Sequence, residues 1–227
     1  MRKFGDWAKV AAITRVMRDR FEAAVRVALM REAHYLRGKM VVGIASGAPG
    51  GQAFKPLSPI TLAMRKARGF AGTKPLIASG TLRRSFSVVQ VRGGSSIGGA
   101  VFVGIHRSAR GKNGKSLVNI AEIHEYGRSW KQKLSPRARR YLFAILNKTN
   151  IGRGPAGRDK SGRFTKGKFI SRGGSGDGTI SIHIPARPFI RPIWETYAKP
   201  ADVRKRFLAN VADRMGGTFK VLGGSGK

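Results

Sequence analysis

Apolar residues recur at three- and four-residue steps from Asp6 to about Gly38, and a helical stripe of that length has to be covered by something. Val10, Ile13, Met17, Phe21, Ala24, Val25, Ala28 and Leu29 form the stripe, while Arg15, Arg18, Asp19, Glu22 and Arg26 lie between them. Asp6 supplies an N-cap oxygen and Gly38 a left-handed C′ residue, so the pattern predicts one helix over 6–38. A sheet of the same chain or a neighbouring subunit is the expected cover.

The rest of the chain offers shorter elements. Residues 43–56 are rich in Gly, Ala and Pro and read as a loop, after which Ser58-Pro59 opens a short helix that Gly69 and Gly72 end. Two apolar runs, Phe86–Val91 and Ala100–Ile105, flank a Gly/Ser turn and predict a β-hairpin within 84–106. Leu117–Tyr126 has a helical face with Gly127 as its cap, and Ser135-Pro136 opens a basic helix whose apolar side is Ala138, Tyr141, Leu142 and Ile145. Ile180, Ile182 and Ile184 alternate with Ser181 and His183 as a third strand; helices around 192–199 and 201–215 and a tail over 216–227 close the chain. Together these predict a single α+β domain over 1–227: a small antiparallel sheet of three to four strands packed against the long N-terminal helix and the C-terminal helices, with a long basic loop insertion.

Charge then limits what such a domain does. Forty-five Lys and Arg against eleven Asp and Glu leave the 227-residue chain at +34, and that self-repulsion calls for a polyanion nearby. Much of the charge sits within 128–178, a basic helix followed by a Gly-rich insertion. Lys131 to Arg172 holds thirteen Lys or Arg and one acid, Asp159. From Gly152 to Gly178 large apolar residues are scarce, so the composition predicts a flexible loop that a partner would order. Arg153, Arg158, Lys160, Arg163, Lys166, Lys168 and Arg172 could neutralise phosphates without reading sequence, or dock on an acidic neighbour. Phe164 and Phe169 alone do not make a base-stacking platform.

Catalytic patterns fail one by one. The chain has no Cys, which removes disulfides, thiolate catalysis and Cys-based metal sites. Gly152 to Gly157 matches G-x-G-x-x-G but has neither a buried strand before it nor a helix after it. Gly94 to Gly98 has nucleophile-elbow spacing inside a hairpin turn, and the terminal Gly-Ser-Gly-Lys precedes no helix. The four histidines, His34, His106, His124 and His183, show no metal-binding spacing, and the eleven acids form no evident pair. No catalytic residue, metal or cofactor is expected, so the reading is a non-enzymatic protein. No apolar run reaches the roughly 18–20 residues of a membrane span, and Asp6, Lys9 and Arg15 interrupt any signal-peptide core, so a soluble protein made in a cytoplasm is expected.

Five short stretches, in this order, resemble the phage virion-morphogenesis family, which includes the Mu-like tail-completion proteins and related head–tail connector or neck proteins. They are Phe54-Lys55-Pro56-Leu57-Ser58; Pro75 to Leu82 with Leu76 and Gly80; Val101 to Gly104; Ala121 to Gly127 with His124; and Ile184-Pro185-Ala186-Arg187-Pro188-Phe189-Ile190. Phe54 stands where the family has Trp, and the basic segment after Gly127 is long. The resemblance implies a structural virion protein at the head–tail junction, made in the host bacterial cytoplasm. It also implies a homo-oligomeric ring, a hexamer, around the DNA channel, bound to neighbouring neck and tail proteins. In that setting Leu76, Gly80, Leu82, Gly104, His124, Gly127 and Pro185 to Phe189 shape the backbone, and the basic loop faces DNA or an acidic partner. The alternative is a stand-alone, non-specific DNA-binding protein of genome packaging or condensation.

Overall fold

Asp6 accepts a hydrogen bond from the Lys9 backbone N–H at 3.4 Å and starts α1, which runs over Trp7–Ser46, eight residues beyond the expected end. Gly38 does not stop it. The following turns bury Met40, Gly43 and Ile44, and this packing outweighs the roughly 1 kcal/mol that a helical glycine costs. The stop is Gly47, in the left-handed region at φ 82°, whose N–H reaches the carbonyls of Gly43 and Ile44. The start of the expected 43–56 loop is therefore the last turn of the helix.

The computed structural model describes residues 5–70, 72–91, 99–149, 157–158, 164–165 and 178–222, with 147–149, 157–158, 164–165 and 217–222 as backbone only. It is an α+β protein with seven α-helices among the described residues. The chain divides into two compact units, one of Met1–Gln52, Arg83–Val118 and Phe189–Lys227, the other of Ala53–Leu82 and Asn119–Pro188.

The first unit is organised by α1. Ala24, Val25 and Ala28 pack on Val211 of the last helix, α7 (Pro200–Leu222), with Leu29, Phe207 and Met215 around them. The alanines, fully buried, let the two helix backbones approach closely. Further along, buried Glu32 receives the guanidinium of Arg206, which also donates to the Tyr197 carbonyl at 2.8 Å and lies over the Tyr35 ring. β1 (Phe86–Val91) and β2 (Ala100–Ile105) form the expected hairpin, with Phe86 opposite Ile105 and Val91 opposite Ala100. Both strands pack on α1, and Arg37 donates to the Phe86 carbonyl at 2.8 Å. Phe189 is fully buried and meets Phe86 edge to face, 6.0 Å between centroids, just before α6 (Arg191–Tyr197).

The predicted stripe is covered over only part of its length. Ala24, Val25 and Ala28 are buried, whereas Val10, Ile13 and Phe21 are 53%, 62% and 43% exposed. Trp7 and Val16 are likewise exposed, so among the described residues nothing buries the first turns of α1.

In the second unit Ser58 caps α2 (Pro59–Ala67), accepting from the Thr61 N–H at 3.3 Å. α3, the single turn Thr81–Arg84, and α4, Leu117–Tyr126 as expected, each have two residues assigned to the first unit, Arg83 and Arg84 in α3 and Leu117 and Val118 in α4. α5 is Pro136–Thr149, with Ser135 Oγ accepting from the Ala138 N–H, and it packs on α2. β3 (Arg128–Lys133), which the hydropathy pattern does not mark, pairs antiparallel with β6 (Thr179–Ile184), the expected third strand. Between them in sequence lies the short ladder of β4 (Gly157–Arg158) and β5 (Phe164–Thr165). The described strands thus pair two by two, and a sheet of three to four strands is not seen among them. No described helix is long and apolar enough to cross a membrane.

Candidate functional site

α4 reaches β3 through one residue. Gly127 sits at φ 77°, a left-handed conformation that L side chains rarely adopt, and turns the chain from helix into strand. It is also crowded: a Cβ there would stand 2.8 Å from the Ala186 nitrogen and 3.1 Å from the Ile184 carbonyl oxygen. β6 passes its end, Ile184, alongside Arg128, and the chain then leaves through Pro185-Ala186-Arg187-Pro188. The Arg187 N–H donates to the His124 carbonyl at 2.6 Å. Two segments about sixty residues apart in sequence are thereby interlocked.

The Arg187 side chain adds a third segment. It is 5% exposed, and its Nε donates to the Lys55 carbonyl at 2.7 Å while Nη2 donates to the Pro56 carbonyl at 2.8 Å. Arg65 acts similarly within its own loop, donating to the carbonyls of Lys74 at 2.7 Å and Gly72 at 3.3 Å. Burial lowers the pKa of both guanidiniums, and for Arg187 the nearby Arg65 charge adds to this; both stay protonated.

His124 lies beside these two cations. Its Nδ1 is buried with no hydrogen-bond partner among the described residues. Burial, then the charges of Arg187 and Arg65, hold its pKa down at about 4 against an ordinary 6.5. Because the folded value is the lower one, the unfolded chain takes up the proton first, and stability falls as the pH drops below 6.5. From about pH 7.5 to about pH 5 this one group is expected to remove about 2 kcal/mol. Urea midpoints at the two pH values measure that loss, and His124→Asn is expected to remove most of it.

The interlocked segments border an open cleft of about 350 Å³ lined by Lys55, Tyr126, Gly127, Arg128, Ser129, His183, Ile184, Pro185 and Ala186. None of the lining residues is acidic. Ser129 and His183 are cross-strand partners joined by a 2.6 Å hydrogen bond between Oγ and Nδ1. The contact has the composition of a nucleophile and base, but both residues are exposed on a ladder face, and neither β3 nor β6 carries an acid to orient the ring. Among the described residues no group of three or more His, Asp or Glu is placed to hold a metal ion. What the cleft presents is two cations, hydroxyls and an imidazole, a donor-rich surface suited to an anion.

No protein-family model matches the chain, and no curated protein or solved structure matches it either.

The residues singled out in the sequence fall into four groups. His124, Gly127, Pro185, Ala186 and Arg187 come together with the Phe54 to Ser58 stretch. Leu76, Gly80 and Leu82 are buried elsewhere in the second unit; Leu76 adopts φ 62°, an uncommon value for a residue with a Cβ. Pro188 is half-buried at the end of the second unit, whereas Gly104 and Phe189 belong to the first. Arg153, Lys160, Arg163, Lys166, Lys168 and Arg172 lie outside the described residues, as does the side chain of Arg158. Ser129 and Lys131 were missed as a face because Arg128–Lys133 has one large apolar residue, Trp130, and so carries no strand alternation.

Proposed function

We propose that this chain is a structural, non-enzymatic virion protein of the head–tail junction of a tailed bacteriophage. It would act in tail completion or as a neck or connector ring around the DNA channel, and join tail to head. The observation that carries the reading is the convergence of three of the five stretches on which the resemblance rests. Arg187 of the Ile184 to Ile190 stretch bonds the His124 carbonyl of the Ala121 to Gly127 stretch and the Lys55 and Pro56 carbonyls of the Phe54 to Ser58 stretch. Residues that hold a backbone in this way suit a scaffold, whose work is done by subunit surfaces.

The ring would be a homo-oligomer, a hexamer by resemblance, bound to neck and tail proteins. Subunits of +34 repel one another, so closure needs an anion, either genomic DNA or an acidic partner. The basic loop with Arg153, Arg158, Lys160, Arg163, Lys166, Lys168 and Arg172 is the assigned contact. A sheet of three or four strands would arise in such an assembly by pairing of ladder edges.

Replacing the seven loop residues with Gln tests this. Virion yield or genome retention is expected to fall at least tenfold, measured by plaque titre and by DNA content of purified particles. Normal yield with normal retention would overturn the assignment. The second reading, a stand-alone non-specific DNA-binding protein, is favoured by the donor-rich, acid-free surface around Ser129 and Arg128. Tight DNA binding by the purified chain at physiological salt, with no ring formed in the presence of tail or connector protein, would select it.

A further inference from the structure

We infer that the solvent face of the β3–β6 ribbon is a binding surface for the phosphate backbone of nucleic acid, centred on Lys131 and Lys133. In an antiparallel ladder, directly opposed residues share a face and alternate residues change face. The register Ser129↔His183, Lys131↔Ser181, Lys133↔Thr179 therefore gathers these six side chains on one side. The bond between Ser129 and His183 fits that assignment, and Ser129, Lys131, Lys133, Ser181 and His183 are all exposed. Trp130, Ile180, Ile182 and Ile184 are half-buried on the other side.

Every residue on the solvent face can donate a hydrogen bond, and neither strand contains an acid. Neither lysine has a carboxylate partner among the described residues. Two residues along a strand advance about 7 Å. At this spacing Lys131 and Lys133 can each reach a separate phosphate of one DNA strand. At the end of the ribbon, the Arg139 guanidinium lies against Gly178 and its Nε donates to the Leu134 carbonyl at 3.3 Å.

The composition of the face separates nucleic acid from an acidic protein. Protein–protein interfaces carry an apolar core and are depleted in lysine. Protein–DNA interfaces are more polar and far more positive, with half or more of their hydrogen bonds going to phosphate and sugar. Apart from the single His183 ring, the ribbon face has no aromatic residue and no apolar one, so it offers neither an apolar core nor a run of stacking platforms, and its contact is independent of base sequence.

The test is the salt dependence of binding of the full chain to a random-sequence DNA duplex, followed by fluorescence anisotropy. Lys131→Gln with Lys133→Gln removes two phosphate contacts and is expected to make the slope of log K against log salt shallower by about 1.8. Lys112→Gln with Lys115→Gln removes the same charge from an exposed loop of the other unit and is expected to leave the slope within a few tenths. Equal changes in the two double variants would overturn the proposal, since only net charge would then matter. Amine-reactive labelling gives a local readout: bound duplex is expected to slow modification of Lys131 and Lys133 at least fivefold relative to Lys112 and Lys115. Protection of Lys131 and Lys133 by polyglutamate but not by duplex DNA would also overturn it. The proposal goes beyond the head–tail reading and is decided by the salt slope, whereas that reading is decided by virion yield.

Discussion

Phe189→Ala is expected to lower the unfolding free energy by about 3–5 kcal/mol. Phe189 has no exposed surface, and its ring meets that of Phe86, itself 2% exposed, at an interplanar angle of 88°. Truncation to Ala removes the transfer energy of the ring, leaves a cavity and takes away an edge-to-face contact. Phe86 also holds the hairpin to α1 through its carbonyl bond with Arg37, so the loss reaches the hairpin, α1 and the entry to α6. Urea unfolding followed by tryptophan fluorescence measures the effect; Phe189→Leu, which keeps most of the volume, is expected to cost less than half as much. A loss under about 1 kcal/mol for the Ala variant would mean that this ring pair is not a core element.

Arg187→Met is expected to cost about 2–4 kcal/mol, for a different reason. Methionine keeps the apolar stem and removes the charge, but the carbonyls of Lys55 and Pro56 lose charge-assisted donors, each worth about 1.5–3 kcal/mol. Removing a buried cation beside Arg65 offsets part of that loss, because the two guanidinium charges repel. If the variant proved more stable than the parent, the charge rather than the donors would dominate. Hydrogen exchange adds a local readout: amides of residues 53–58 are expected to exchange faster, since Arg187 is the side chain that ties this segment down. The variant should also show a smaller acid-induced loss between about pH 7.5 and pH 5, because one of the charges that depress the His124 pKa is gone.

Elements with local signals were legible in the sequence. Ser58-Pro59, Ser135-Pro136 and Gly127 mark boundaries through hydrogen bonds and φ angles settled within a few residues, and α2, α4 and α5 follow. The β1–β2 hairpin was legible because its two apolar runs are close neighbours in the chain. The end of α1 was misread at Gly38, where a local stop signal is overridden by burial of Met40 and Ile44. β3 was missed altogether. A strand of Arg, Ser, Trp, Lys, Gln and Lys has no alternation of its own, and it is defined by pairing with residues about fifty positions away.

The candidate site divides along the same line. Sequence singled out His124, Gly127 and Arg187 as members of separate short stretches and assigned them to shaping the backbone. It gave no means of knowing that the Arg187 guanidinium would reach the carbonyls of Lys55 and Pro56, or that His124 would be held near a pKa of 4. Nor did it place Lys131 and Lys133 on one face with Ser129, Ser181 and His183.

What the amino-acid sequence determined by itself is the charge of +34, the absence of cysteine chemistry, the helix boundaries set by capping residues, and the α+β class. Tertiary structure alone decided how far α1 runs, which part of its stripe is covered, that the described strands pair two by two, and which cations share a face. The physical reason is range. Caps, turns and net charge depend on residues within a turn or on a simple sum, whereas strand pairing, burial and the desolvation of a charge depend on groups that only the folded chain brings together.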